Sequence, residues 1–187
     1  IMKISEARQG LVLVTGVTSS GKSTTLTAML DHINKTRACH IVTIEDPIEF
    51  IFEDEKALFS QREIGIDVPT YEDALFSLMR EDPEVVLIGE MRYYTTLTDR
   101  LQAAETGHLV FATMHSVDAY QTITHMLDTA PQAERHIVRQ ALVGNLHAII
   151  SQKLLPSTDK DVALVPALEI LIVNAPARKL IAEEREV

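Results

Sequence analysis

Four short apolar runs constrain this chain more than anything else in it. They are LVLVT (Leu11 to Thr15), HIVTI (His40 to Ile44), EVVLIG (Glu84 to Gly89) and HLVFATMH (His108 to His115). Each is too short for a helix of ordinary length, rich in β-branched residues, and without the polar alternation of a half-buried strand. A strand that is apolar on both faces must be covered on both faces, which is the requirement of a parallel sheet. Between the runs the spacing turns helical. Leu26, Met29, Leu30 and Ile33 predict a helix from Lys22 to near Asn34. Thr70, Glu72 and Asp73 read as a helix start, with Ala74, Leu75, Leu78 and Met79 on one face. A further helical segment is expected from Thr95 to Glu105, ended by Gly107. Strands alternating with helices over residues 11 to 150 predict an α/β fold, a mostly parallel sheet flanked by helices.

Other stretches carry weaker patterns. In residues 48 to 69, FIFEDE reads as an edge strand and SQREIG as a turn. Two helices are expected at about 118 to 128 and 132 to 150, then a small C-terminal strand and helix appendage from QKLLP, VALVPALEILIV and APARKLIAEER. With 187 residues, 46% of them hydrophobic, the chain suffices for one well-cored domain spanning 1 to 187. A lone cysteine, Cys39, excludes an internal disulfide and a cysteine-built zinc site, and fits a reducing compartment. No secretory leader and no run near the ~18 residues of a membrane span is found. Because the chain opens on Ile1 with strand patterning close behind, it reads as a domain excised from a longer protein.

The formal net charge is −10, from 27 acids against 17 bases, without a dense Lys/Arg block. That argues against nucleic acid as a partner. It leaves ATP open, because backbone N–H groups and Mg²⁺ supply their own local positive field.

GVTSSGKS, residues 16 to 23, fits the pattern G-x-x-x-x-G-K-[ST] in full, between a strand and a helix. Glycines at Gly16 and Gly21 let the backbone curl so that N–H groups across Thr18, Ser19, Ser20 and Gly21 point at phosphate oxygens. Lys22 then reaches the β/γ oxygens and the Ser23 hydroxyl ligates Mg²⁺. TIEDPIE sets Glu45, Asp46 and Glu49 just past a strand end, where ligands of parallel α/β sheets bind. Pro47 stiffens that turn. Such carboxylates either position an attacking water or hold Mg²⁺ through its water shell; the alternative is a solvated acidic loop. Glu90 follows the third strand and is the natural carboxylate on the Mg²⁺ side, whereas Asp82 precedes the strand at its wrong end. Arg92 is a phosphate contact, a subunit contact or a surface residue. His108 and His115 bracket the fourth strand, on opposite faces and at opposite ends, so they are no matched metal pair. His115 falls where a γ-phosphate would lie, and His108 serves structure or a neighbouring subunit. The other five histidines show no ligand spacing.

Taken together, GVTSSGKSTT, TIEDPIEF, REDPEVVLIGEMR and AAETGHLVFATMHS resemble, in order and spacing, the secretion and type IV pilus ATPase family. SQREI and ETGHLVF are similar to its PilT-like retraction branch. The resemblance covers about residues 10 to 182. It implies a RecA-like P-loop NTPase core working as a homo-hexamer, with nucleotide between subunits. Lys22, Ser23 and Thr24 would hold phosphates and Mg²⁺, Glu49 would activate water, and Glu90 would hold Mg²⁺. His108 and His115 would form the histidine-box pair, His115 reading the γ-phosphate. It further implies a cytoplasmic motor, peripheral at the inner face of the cytoplasmic membrane, acting on a pilus inner-membrane platform protein. The family's N-terminal PAS-like domain has no counterpart within these residues.

The chain departs from that pattern at three places. The family loop carries proline where Val17 stands and glycine where Ser19 stands, and aspartate follows GEMR where this chain has Tyr93 and Tyr94. If position 19 needs positive φ, serine there costs on the order of 1–2 kcal/mol. These departures keep open a second reading, a hydrolytically weak nucleotide-binding accessory paralogue. A third, a pilus-assembly or type II secretion ATPase, ranks lower, since one cysteine cannot build the four-cysteine insert common there.

Overall fold

A computed structural model describes residues 1–78, 80–90, 104, 107–159 and 161–183, with Glu90 described by its backbone. The described residues include seven strands and six helices. In order they are α1 (Met2–Ser5), β1 (Gly10–Thr15), α2 (Lys22–Thr36), β2 (His40–Glu45), β3 (Leu58–Glu63), α3 (Tyr71–Leu78), β4 (Val85–Glu90), β5 (Leu109–Met114), α4 (Ala119–Thr129), α5 (Arg135–Asn145), β6 (Leu146–Pro156), β7 (Leu164–Ile172) and α6 (Ala175–Ala182). The strands form one sheet in the order β3-β2-β4-β5-β1-β6-β7. All neighbours run parallel except the β6/β7 pair at one edge.

The apolar runs are buried as their composition requires. Leu11, Leu13, Val42, Ile44, Val86, Ile88, Val110 and Ala112 face a core closed by α3, α4, α5 and α6. Their alternates Val12, Val14, Ile41, Val85, Leu87, Leu109 and Phe111 face the other side, where Leu26, Met29, Leu30 and Ile33 of α2 cover them. Successive side chains of a strand point to opposite faces, so a continuous apolar run serves two cores at once. Helix starts carry the chemistry that such ends need. Thr70 Oγ1 accepts the Asp73 N–H at 3.1 Å, Asp118 accepts that of Gln121 at 2.7 Å, and Asn174 accepts that of Ala177 at 3.0 Å.

Three expectations need correction. SQREIG is no turn: Leu58–Glu63 is an edge strand paired with β2 from His40 to Glu45. FIFEDE, expected as the strand, has no regular structure. The ladder of β3 is made by backbone, and its side chains are only part-buried, so hydrophobicity does not mark it. Phe52 instead anchors the irregular segment by stacking on Phe59, ring centroids 4.3 Å apart. The helix expected over 132 to 150 ends at Asn145, and Leu146–Pro156 is strand. Arg178 of α6 donates to the Val143 carbonyl and, at 2.8 Å, to that of Gly144, closing the helix end. Short apolar runs such as Ala148 to Ile150 suit a buried helix or a buried strand equally, and here pairing to β1 decides. The helix expected from Thr95 to Glu105 lies outside the described residues except Ala104, which is helical and buried.

Candidate phosphate-binding cleft

The carboxyl ends of the parallel strands share one edge. Thr15 pairs with Met114 on one side and with Ser151 on the other. Ile44 pairs with Ile88, and Glu90 with Thr113. The turns after β1, β2, β4 and β5 therefore gather at one place, as the open edge of a parallel sheet demands.

The loop between β1 and α2 bends where glycine permits. Gly16 has φ 148° and Gly21 φ 84°. A Cβ on Gly16 would lie 2.3 Å from the Gln152 carbonyl oxygen, and one on Gly21 would lie 2.7 Å from Gln152 Nε2. Backbone closes off Gly16, whereas at Gly21 positive φ and the Gln152 side chain disfavour a substituent. Ser19 also has positive φ, 62°. Helix α2 starts at Gly21 with no side-chain cap and no acid in its first turn. Its leading N–H groups are thus offered to an outside acceptor, at the positive end of a helix dipole. Lys22 folds back on the loop, Nζ donating to the Gly16 and Val17 carbonyls at 2.9 Å each.

Opposite this loop stands the acidic turn after β2, with a cis peptide at Asp46–Pro47. Glu45 is committed to bracing it, accepting hydrogen bonds from Thr43 Oγ1 at 2.6 Å and Gln61 Nε2 at 3.3 Å. Gln61 also donates to the Phe50 carbonyl and accepts the Phe52 N–H, both at 2.8 Å. Glu63 accepts the Ile48 N–H at 3.0 Å. Strand β3 thus pins the turn on both sides of Glu49. No hydrogen bond or ion pair engages the Asp46 or Glu49 carboxylates among the described residues, and both are exposed. A cleft of about 420 Å³ separates the two turns, lined by Lys22, Ser23, Asp46, Glu49 and His115 among others.

The cleft collects most of the residues singled out in the sequence. Thr18, Ser19, Lys22 and Ser23 line it with Glu45, Asp46, Glu49 and His115. Gly16, Ser20 and Gly21 shape the loop behind them, and Thr24 follows on the exposed first turn of α2. Glu90 ends β4 beside Thr113, after a register shift, next to Gly89 of the cleft wall; its side chain lies outside the described residues. Arg92, Tyr93 and Tyr94 lie outside them too. His108 is elsewhere: its carbonyl accepts the Gly10 N–H at 3.0 Å, at the opposite end of β5. Six strand residues separate the histidines, roughly 20 Å at strand rise. No cluster of three or more metal-ligating side chains occurs among the described residues. A hydroxyl at the loop's end beside exposed carboxylates suits Mg²⁺, which keeps much of its water and uses one or two protein ligands together with phosphate.

Sequence reasoning missed Tyr71, Gln61 and Gln152. Tyr71 lines the cleft and its hydroxyl lies 2.8 Å from where a Gly89 Cβ would stand, so the glycine inside an apolar strand was its signal. A glutamine at the end of the buried run AIISQ was the signal for Gln152. Gln61 offered none.

A parallel α/β sheet with a glycine-bent, uncapped loop facing a braced acidic turn defines a protein of the P-loop type. The chain belongs to the Type II/IV secretion system protein family, whose model matches residues 1–181. It is 49% identical over 183 residues to a twitching motility protein of Neisseria gonorrhoeae, covering 98% of this chain and 49% of that one. It is 48% identical to the type IV pilus retraction ATPase PilT of Pseudomonas aeruginosa, covering 98% of this chain and 53% of that one. A crystal structure of the pilus retraction motor PilT with bound ADP matches at a TM-score of 0.94 and 46% identity, over 98% of this chain and 53% of that chain. The chain therefore spans about half the length of the curated relatives it matches.

Proposed function

We propose that residues 1–187 are the RecA-like ATPase domain of a Mg²⁺-dependent, hexameric motor that drives type IV pilus retraction and twitching motility. One observation carries the reading: the glycine-bent loop, Glu49 and His115 line the same cleft. Loop N–H groups from Thr18 to Ser23 and the Lys22 ammonium bind the phosphates and offset the charge that develops on the γ-phosphoryl oxygens. Glu49, exposed and otherwise uncommitted, orients a water for in-line attack and takes its proton. His115 reads the γ-phosphate, and Glu90 with the Ser23 hydroxyl holds the metal side. Mg²⁺ held there would supply charge neutralisation to the phosphate. The motor works at the cytoplasmic face of the inner membrane against a pilus platform protein. Support comes from the retraction ATPases at nearly half identity over almost the whole chain.

The test is steady-state ATP hydrolysis by the longer protein, wild type against Glu49→Gln and Glu90→Gln. Each variant is expected to lose at least about 100-fold in turnover, the lower range for removing a positioned base. Retention of most turnover by both would overturn the role assignments. Ser19, held at φ 62° in the loop, favours one second reading, an accessory paralogue that binds nucleotide but hydrolyses it weakly. Tight ATP binding without turnover in the assembled wild-type protein would select it.

A further inference from the structure

Gln152 stands on β6, outside every motif of the cleft, and its side chain reaches into the phosphate loop. The residue is 6% exposed. Its Nε2 donates to the Ser20 carbonyl at 2.7 Å, and its Oε1 accepts from Thr25 Oγ1 at 2.6 Å. The orientation of this amide is dictated by its partners. A flipped amide would set Oε1 against the Ser20 carbonyl, two acceptors facing each other, whereas the Thr25 hydroxyl can give or take a proton. The Ser20 hydroxyl plays no part, being buried with no hydrogen-bond partner among the described residues.

The geometric consequence follows from the peptide plane. In a trans peptide the C=O and the following N–H point in opposite directions. Holding the Ser20 carbonyl back against β6 turns the Gly21 N–H away from β6, into the cradle. The same amide ties that peptide to Thr25 in the first turn of α2, so loop and helix start move as one piece. Gln152 also lies close to both loop glycines, its carbonyl against Gly16 and its amide against Gly21.

We propose that Gln152 is a positioning residue for phosphate binding, fixing the Ser20–Gly21 peptide with its N–H toward the anion. This rests on the reading of the cleft as a nucleotide site. A neutral donor is essential at this position: a carboxylate there would face the Ser20 carbonyl and rotate the peptide, whereas the protonated acid would again donate to it.

Calorimetric titration of the longer protein with MgADP tests this, with wild type, Gln152→Glu, Gln152→Met and Thr25→Val compared at each pH. Losing the donor from a buried carbonyl is expected to weaken ADP binding about tenfold or more in Gln152→Met at all pH values. For Gln152→Glu the deficit relative to wild type should grow from about pH 6 to about pH 9 as the acid ionises. Thr25→Val keeps the Ser20 bond and loses only the tie to α2, so it should weaken ADP binding less than Gln152→Met does. Thermal melts monitor folding, and Gln152→Met carries the test if Gln152→Glu is unfolded at high pH. Wild-type affinity in both Gln152 variants, or wild-type affinity of Gln152→Glu at the high-pH end, overturns the proposal while wild-type binding keeps the cleft reading intact. Absence of ADP binding by the wild type overturns both.

Discussion

Ser19 shows what a single residue can hold against its own preference. Its φ of 62° puts a side-chain-bearing residue in the left-handed region, at a turn where the family pattern has glycine. The strain amounts to about 1–2 kcal/mol, of which about 0.4–1 kcal/mol is returned because serine restricts the unfolded chain more than glycine does. Ser19→Gly is therefore expected to stabilise the protein by up to about 1 kcal/mol in chemical denaturation. Destabilisation instead would mean that the Ser19 side chain makes a compensating interaction. Position 19 is thus one where the resemblance raised positive φ as a condition, and the backbone angle meets it. Gln61, which braces the cleft, was not legible in the same way, because a part-buried glutamine that clamps a turn looks like any other glutamine until the turn is beside it.

At the scale of elements, β3 is the strand whose sequence says least and whose role in the site is greatest. Gln61 and Glu63 together make four hydrogen bonds to Glu45, Ile48, Phe50 and Phe52. They hold the turn that carries Glu49, while the phosphate loop opposite depends on neither. Gln61→Ala should accordingly lower kcat for ATP by roughly tenfold to a hundredfold through misplacement of Glu49, with ADP affinity within about threefold of wild type. An equal fall in ADP affinity would show that β3 supports the whole cleft and not the acidic turn alone. The strands with apolar side chains on both faces were readable because burial on two sides leaves a compositional mark. Strand β3 left none, since a ladder at the sheet edge is satisfied by backbone alone, and Leu58 is 64% exposed within it. The overlong helix at 132 to 150 failed for a related reason: Ala148 to Ile150 satisfy either period, and pairing to β1, distant in the chain, decides for strand.

Across the whole molecule, stability should respond to acid through His147, which sits where β6 leaves α5. Burial, followed by the nearby Arg178 guanidinium, pushes its pKa below the ordinary 6.5. The unfolded chain then binds a proton that the folded chain declines, so this contribution is complete above about pH 6.5 and is lost as pH falls below it. Denaturant midpoints should decline over that window, and His147→Gln should flatten the decline. An unchanged slope in the variant would remove His147 from the account. The contact between Gly16 and the Gln152 carbonyl has a different reach, into how such a chain is able to drift. With 2.3 Å between that oxygen and the missing β-carbon, a substituent at position 16 must displace the loop or β6, and β6 is hydrogen-bonded to β1. The turn after β1 and a strand met more than a hundred residues later are thereby inherited as a pair, each setting the limits within which the other is free to change.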